Sequence, residues 1–441
     1  MTRWRGWRPA SRAPLNRARD ARVARRPRFL GLIRRLGPGL VTGAADDDPS
    51  GIVTYAQAGA AFGYGLGWAV VLTLPFMVAA QEMSARIGRV TGAGVVGALR
   101  LHAPRPVVLG LVGLLVVANV VNLGADIGGM AEVARMLAGG PGWAWAGVIA
   151  VFCVITEIWV AYRRYVVFLK WLTLALLAYV ALLFVIHVQW GQVLVAVLIP
   201  HVALTRDALT MLVGVLGTTI SPYLFVWQAA EEVEDMLISR DPRPLRDRGE
   251  DGADEIGRID ADTWAGMTYS NVVSLSIIIG TAATLHTHGI LTIDTAGQAA
   301  KALEPIAGRF AMLTFALGVL GTGLLAVPVL AGATAYALGE AAGWRVGLGR
   351  KAGDARAFYA TIAAATLLGA GIVVSPIDPM RALVWAAVIN GAVAGPVIVA
   401  MVVLGSLRSV MGNFVLPAWL RVLGWATAVL MVAATIGMLV L

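Results

Sequence analysis

The sequence predicts an all-α polytopic membrane protein of eleven transmembrane helices, with the first and sixth helices interrupted at mid-membrane. Three observations carry this reading. The 441 residues are 58% hydrophobic and only 14% charged, with a mean hydropathy of +0.77, whereas soluble domains carry roughly a quarter charged residues. Apolar stretches long enough to cross a hydrocarbon core of about 30 Å recur along the chain. Two proline-centred interruptions fall in spans that lie five helices apart. A β-barrel would instead show short alternating strands.

Residues 1–36 form a basic arm, with a dozen arginines from Arg3 to Arg35 against the single acid Asp20. The arm has no apolar core like that of a signal peptide, so it is expected to be retained in the cytosol, where it can touch anionic lipid. The net charge of +9 is therefore placed for a membrane, and no nucleic-acid partner is expected. Spans follow near 38–62, 67–87, 106–138, 143–161, 166–187, 207–237, 265–286, 304–340, 358–375, 381–405 and 417–440. The long ones near 106–138 and 304–340 must tilt or extend beyond the bilayer.

The charges test that count. With the N-terminus inside, loops after even-numbered spans are cytoplasmic. They carry Arg86, Arg89, Arg100 and Arg105, then Arg163, Arg164 and Lys170, then Arg240, Arg243, Arg246, Arg248 and Arg258. Arg345, Arg350, Lys351, Arg356 and Arg408 continue the series, while the outer loops carry Arg206, Lys301 and Arg381. This asymmetry follows the positive-inside rule and puts the C-terminus outside a bacterial-type inner (plasma) membrane. The polar segment from Ile238 to Asp262 reads as a solvated connector. Cys153, the one cysteine, excludes an intramolecular disulfide and reads as a packing residue.

The first span reads Gly43-Ala44-Ala45-Asp46-Asp47-Asp48-Pro49-Ser50-Gly51. Three carboxylates in a membrane segment are costly. Pro49 removes a donor and Gly51 loosens the chain, so the helix should break and free carbonyls near Ala45 and Asp46. Broken backbone at this depth must be buried in protein or line a wet cavity. Free carbonyls with carboxylates make a hard-oxygen cation site. The sixth span repeats the device in Gly217-Thr218-Thr219-Ile220-Ser221-Pro222-Tyr223, with small hydroxyl residues before the proline. Helix six would run opposite to helix one, the pattern of an inverted five-helix repeat with a midplane site. Repeat one covers about 37–190, repeat two about 205–405, and an extra helix 417–440 completes the membrane domain of 37–441. Either proline alone could be an ordinary kink; the matched pair beside three aspartates favours a site.

These residues resemble the Nramp family of divalent-metal transporters. The stretch from Gly37 to Gly51 is similar to that family's first-helix signature, which centres on Asp-Pro-Gly-Asn. Gln81 to Gly92 resembles the end of its second helix, Gly124 to Val133 its third, and Gly217 to Gln228 its sixth. The resemblance runs from about Gly37 onward and implies a LeuT-type fold with unwound first and sixth helices. It also implies import of metals such as manganese and iron, usually proton-coupled. The metal would be held by an Asp and an Asn of the first helix, a backbone carbonyl, and a methionine of the sixth. Asp48 matches the aspartate, but Gly51 stands in place of the asparagine, Ser221 in place of the methionine and Tyr223 in place of a histidine. The candidate metal positions are therefore Asp46, Asp47, Asp48, Gly51, Thr218 and Ser221.

A thioether favours transition metals over hard ions, and a hydroxyl removes that discrimination. Fewer ligands, no sulfur and more negative charge suit magnesium, which dehydrates reluctantly and binds through one or two carboxylates plus waters. The pattern is similar to the Nramp-related magnesium transporters, with manganese as a second ion; no resident cofactor is expected. Asp126 matches an aspartate of the family's proton route, but the acid expected three residues later is Gly129. Asn119, Asn122 and Asp126 share one helical face and form a candidate ion path, or a structural hydrogen-bonded stripe. Gln228, Glu231 and Glu232, with Glu234 and Asp235, continue the sixth helix towards the cytosol, lining an exit or forming a solvated end. Asn390 lies a turn before the family's glutamine near the metal.

With the coupling residues changed, passive uptake driven by voltage is expected; at 100 mV two charges gain about 4.6 kcal/mol. The alternatives are a proton-coupled manganese or iron importer, which Ser221 and Gly129 oppose, and a sodium-coupled amino-acid carrier on the same architecture. Three aspartates would repel the carboxylate of an amino acid. No pattern of an enzyme's nucleophile and base, or of a phosphate loop, is present in the sequence.

Overall fold

The computed structural model describes residues 38–160, 176–201, 205–239, 241–248 and 252–440. The basic arm, the 161–175 stretch with Arg163, Arg164 and Lys170, and Arg240 lie outside the described residues. The described chain is helical, with no strand. Its helices are α1 (Pro38–Asp46), α2 (Pro49–Phe62), α3 (Gly67–Thr91), α4 (Val95–His102), α5 (Arg105–Ala138) and α6 (Gly142–Trp159). After α7 (Leu177–Leu182) and α8 (Trp190–Leu198) come α9 (Arg206–Thr219), α10 (Pro222–Ile238), α11 (Ala253–Thr284) and α12 (Ala311–Ala342). The bundle ends with α13 (Arg356–Ile372), α14 (Pro379–Ser406) and α15 (Ala418–Val440).

Among the described residues, eight segments are long and apolar enough to cross a membrane. That number differs from eleven for three reasons. Pro49–Thr91 runs through a single 3₁₀ turn and counts once, and Arg356–Ile372 falls just short. The first part of the fifth span, 166–175, lies outside the described residues. At 34 residues α5 is about 51 Å long, which matches the expectation that it overreaches the hydrocarbon core.

Both interruptions fall at the expected prolines. Asp48 is extended (φ −68°, ψ 170°) and caps α2, its side chain accepting from Gly51 N. Pro49 begins α2, where its missing N–H is harmless. The α9 helix ends at Thr219, and extended Ser221 leads into Pro222 at the start of α10. The α1 helix packs chiefly on α11, α9 on α14, and α10 on α3 and α12. Close approach fixes the first of these contacts: a Cβ on Gly43 would lie 2.3 Å from the Gly266 carbonyl oxygen.

One segment departs from its expected form. The polar stretch from Ile238 to Asp262 is not a solvated connector throughout, because α11 begins at Ala253. Its first turns present charges to neighbouring helices. Arg258 pairs with buried Glu232 at 2.5 Å, Glu255 with Arg89 at 2.7 Å and Asp260 with Arg86 at 2.8 Å. Asp262 accepts from Gly39 N at 2.7 Å. Mixed charge at helical spacing looks solvated in sequence, yet here complementary charges on α3 and α10 draw it into the bundle.

Candidate metal centre

The centre of the bundle is where the two broken helices meet. Asp48 is 2% exposed. Its Oδ1 accepts from Gly51 N (2.7 Å) and Ser50 Oγ (2.8 Å), and its Oδ2 from Asn122 Nδ2 (3.1 Å) and Tyr223 O–H (3.2 Å). Four donors occupy the roughly four lone-pair sites of a carboxylate. The Tyr223 phenol also reaches the Ala45 carbonyl oxygen at 3.2 Å, so one hydroxyl of the second break ties two oxygens of the first. Beside them, Gly51 leaves a cradle. A Cβ placed there would meet Thr218 Oγ1 at 2.8 Å, with the Asp46 carbonyl oxygen and Asp48 Oδ1 each at 3.4 Å. Three oxygens from both breaks thus border a space that any larger side chain would fill.

The candidate positions divide. Asp48, Gly51 and Thr218 meet at the cradle. Asp46 gives it a carbonyl, whereas the Asp46 and Asp47 carboxylates, also candidate metal positions, each turn one oxygen to serines of α11. Ser270 Oγ donates to Asp46 Oδ2 (2.5 Å) and to Asp47 Oδ1 (3.2 Å), and Ser274 Oγ to Asp47 Oδ1 (3.2 Å). The cause is local: Asp46 ends a helix, Asp47 lies in the bend and Asp48 is extended, so consecutive side chains diverge. Ser221, another candidate position, is engaged with backbone. Its hydroxyl donates to the Gly217 and Thr218 carbonyls (3.0 and 2.9 Å), satisfying acceptors that the break frees.

The polar stripe of α5 divides too. Asn122 reaches Asp48, and Asp126 accepts from Ser50 N (3.2 Å), whereas Asn119 bonds Thr334 of α12 (3.0 Å). Asn390 is 1% exposed, and neither end of its amide has a partner among the described residues. Gln228 accepts from the Thr42 hydroxyl, bracing α10 against α1. Glu232 is ion-paired with Arg258, and Glu234 accepts from Leu348 N (2.5 Å), Gly349 N (2.9 Å) and the Tyr336 hydroxyl. These two acids brace α10; Glu232 is buried, while Glu231 and Glu234 are half-buried.

Asp46, Asp47, Asp48 and Asp126 are all buried, and none forms an ion pair among the described residues. Asp46 Oδ1, Asp47 Oδ2, Asp126 Oδ2 and Asn122 Oδ1 lack partners there as well. Buried carboxylates without a paired cation either bind one or take up a proton. Among the described residues no three His, Cys, Asp or Glu side chains converge on one point, so an ion in the cradle would meet one carboxylate and neutral oxygens. Sequence reasoning missed Ser270, Ser274 and Thr42 and noted Tyr223 only as a replacement. Ser270 and Ser274, one turn apart on one helical face of the seventh span, were the available signal.

The family model described as natural resistance-associated macrophage protein-like (Nramp) matches residues 39–441. The chain is 27% identical over 410 residues to the divalent metal cation transporter MntH of Klebsiella pneumoniae (strain 342), covering 90% of this chain and 92% of that one. It is 26% identical over 424 residues to the MntH of Burkholderia ambifaria, covering 94% and 90%. The structure is similar to that of the Eremococcus coleocola manganese transporter in complex with an aromatic bis-isothiourea substituted compound. That pair has a TM-score of 0.73 at 17% identity, covering 97% of this chain and 88% of that one. The inward-facing conformation of Mhp1 follows with a TM-score of 0.52 at 14% identity, covering 91% and 90%. At such identities the structural likeness speaks to fold alone, and the fold is the LeuT type.

Proposed function

Because the chain belongs to the Nramp family, whose members are transporters and not enzymes, we propose that it carries divalent metal cations across a bacterial-type plasma membrane, with magnesium foremost and manganese second. The observation that carries the choice of ion is the cradle at Gly51. The three atoms nearest a Cβ placed there are oxygens, of the Thr218 hydroxyl, the Asp46 carbonyl and the Asp48 carboxylate. Gly51 adds no side-chain ligand, and Ser221 turns its short hydroxyl back into α9. A site with one carboxylate, neutral oxygens and no thioether at the sixth-helix break suits a hard ion that keeps part of its water. Manganese, also content with oxygen, follows the same route.

The bundle end that carries the arginines is the cytosolic one in this reading, with the N-terminal arm inside and the C-terminus outside. Transport runs down the voltage without a proton. Gly129 supports this: it puts no side chain where the family has its second acid beside Asp126, and Leu383 packs over it, with Cδ1 2.8 Å from where a Cβ would lie. The test is purified protein in liposomes, with magnesium, manganese and proton indicators read in parallel. Magnesium entry that rises with inside-negative voltage and leaves internal pH unchanged is expected. Failure of magnesium to enter defeats the choice of ion, and acidification that tracks metal entry restores proton coupling.

A further inference from the structure

We propose that Tyr223 is a specificity-determining residue of this site: its phenol holds the Ala45 carbonyl and the Asp48 carboxylate, so that the ion favoured is one that arrives with its water. The proposal rests on the reading of the Gly51 cradle as the ion's position and goes further, to what decides between ions.

The geometry is specific. The phenol oxygen lies 3.2 Å from Ala45 O and 3.2 Å from Asp48 Oδ2. A bare cation at the cradle that takes Ala45 O and Asp48 Oδ2 as further direct ligands would have to displace it. Gly51 N and Ser50 Oγ belong to the cap of α2 on Oδ1, and Asn122 shares Oδ2 with Tyr223. Among the described residues Tyr223 alone joins the last turn of α1 to the capping carboxylate. Its ring is fully buried, so packing prevents the hydroxyl from swinging aside into solvent. Asp48 has a donor on every lone pair, and a dehydrated ion can bind it directly only by displacing one.

A hydrated ion avoids that cost. Its water can donate to the phenol oxygen while the phenol O–H keeps an acceptor. Magnesium releases water reluctantly, whereas calcium takes six to eight direct oxygen ligands in flexible geometry. Manganese, which also accepts direct oxygen ligands, gains with calcium when the hydroxyl is removed. Magnesium gains least.

The experiment compares wild type with Tyr223→Phe, full chain in liposomes, by competing magnesium against manganese and against calcium. A charge-assisted hydrogen bond is worth about a tenfold factor or more. The variant is therefore expected to raise the manganese-to-magnesium and calcium-to-magnesium uptake ratios by roughly tenfold. A purely structural role would lower all three ions together, and unchanged ratios overturn the proposal. A second readout does not depend on transport: pulsed electron paramagnetic resonance of bound Mn2+ in heavy water, which counts coordinated waters. Wild type is expected to retain several waters and Tyr223→Phe fewer. An ion stripped to one water or none in wild type overturns the proposal even if the variant does not fold. If wild type carries manganese but not magnesium, the choice of magnesium fails while the water count still decides the role of Tyr223.

Discussion

The break between α1 and α2 is held open by charge: three successive aspartates, one capping α2 and two drawing hydroxyls from α11. The break between α9 and α10 lies against it and is neutral. Ser221 returns its hydrogen to the Gly217 and Thr218 carbonyls, and Thr219 meets the Tyr55 hydroxyl at 3.0 Å. Besides Thr219, the neutral break sends Thr218 Oγ1 towards Gly51 and the Tyr223 hydroxyl towards Asp48 and Ala45. In the proposed reading the first half carries the attraction for the ion and the second half shapes the space, with Ser221 supplying a backbone cap where the family has a methionine.

This division is broken most directly at Asp48. Asp48→Asn keeps the shape but removes the charge and sets an amide against four donors. Magnesium uptake into liposomes is expected to fall about a hundredfold or more, with the purified protein still folded. Uptake at wild-type rates would mean that the charged break does not hold the ion.

A smaller loss is expected from Gly51→Ala, whose Cβ would lie 2.8 Å from Thr218 Oγ1 in a buried wall that cannot yield freely. Overpacking costs about 1–3 kcal/mol, and uptake is expected to drop roughly tenfold. Adding Thr218→Ala removes the clashing oxygen. Partial recovery in the double variant, with Thr218→Ala alone slower than wild type, would sharpen the view that the two halves share one cradle. A Gly51→Ala protein as active as wild type places the ion elsewhere.

Ser270→Ala with Ser274→Ala tests the other two aspartates. Asp46 and Asp47 would lose their hydroxyl donors, at about 1–3 kcal/mol for each buried acceptor left unmade. A thermal midpoint lower by several degrees is expected, with magnesium uptake reduced less than about threefold. If uptake collapses while stability holds, Asp46 and Asp47 act on the ion and not on the fold.

The sequence made the spans and both breaks legible, since hydropathy, arginine placement and prolines act locally or additively along the chain. It left the ligand set partly hidden, because periodicity stops where a helix stops. Asp46, Asp47 and Asp48 are adjacent in sequence, yet they occupy a helix end, a bend and an extended residue, and they face different helices. Tyr223 could be noticed as a replacement, but only the packing of α10 against α1 brings its hydroxyl to Ala45 and Asp48. The start of α11 was hidden for another reason. Its charges have the composition of a loop, and their partners Arg86, Arg89 and Glu232 lie far away in the chain.

Ser221 gives the smallest effect and the sharpest separation of the two breaks. Ser221→Ala removes the hydroxyl that satisfies two carbonyls, at about 1 kcal/mol, and magnesium uptake is expected to stay within about twofold of wild type. Ser221→Met should differ in kind. It restores a thioether facing the site, and a soft ligand favours manganese over magnesium, so their uptake ratio is expected to rise although total magnesium flux changes little. If Ser221→Ala instead abolishes uptake, the neutral break holds the ion as the charged one does, and the division between the halves fails at its simplest point.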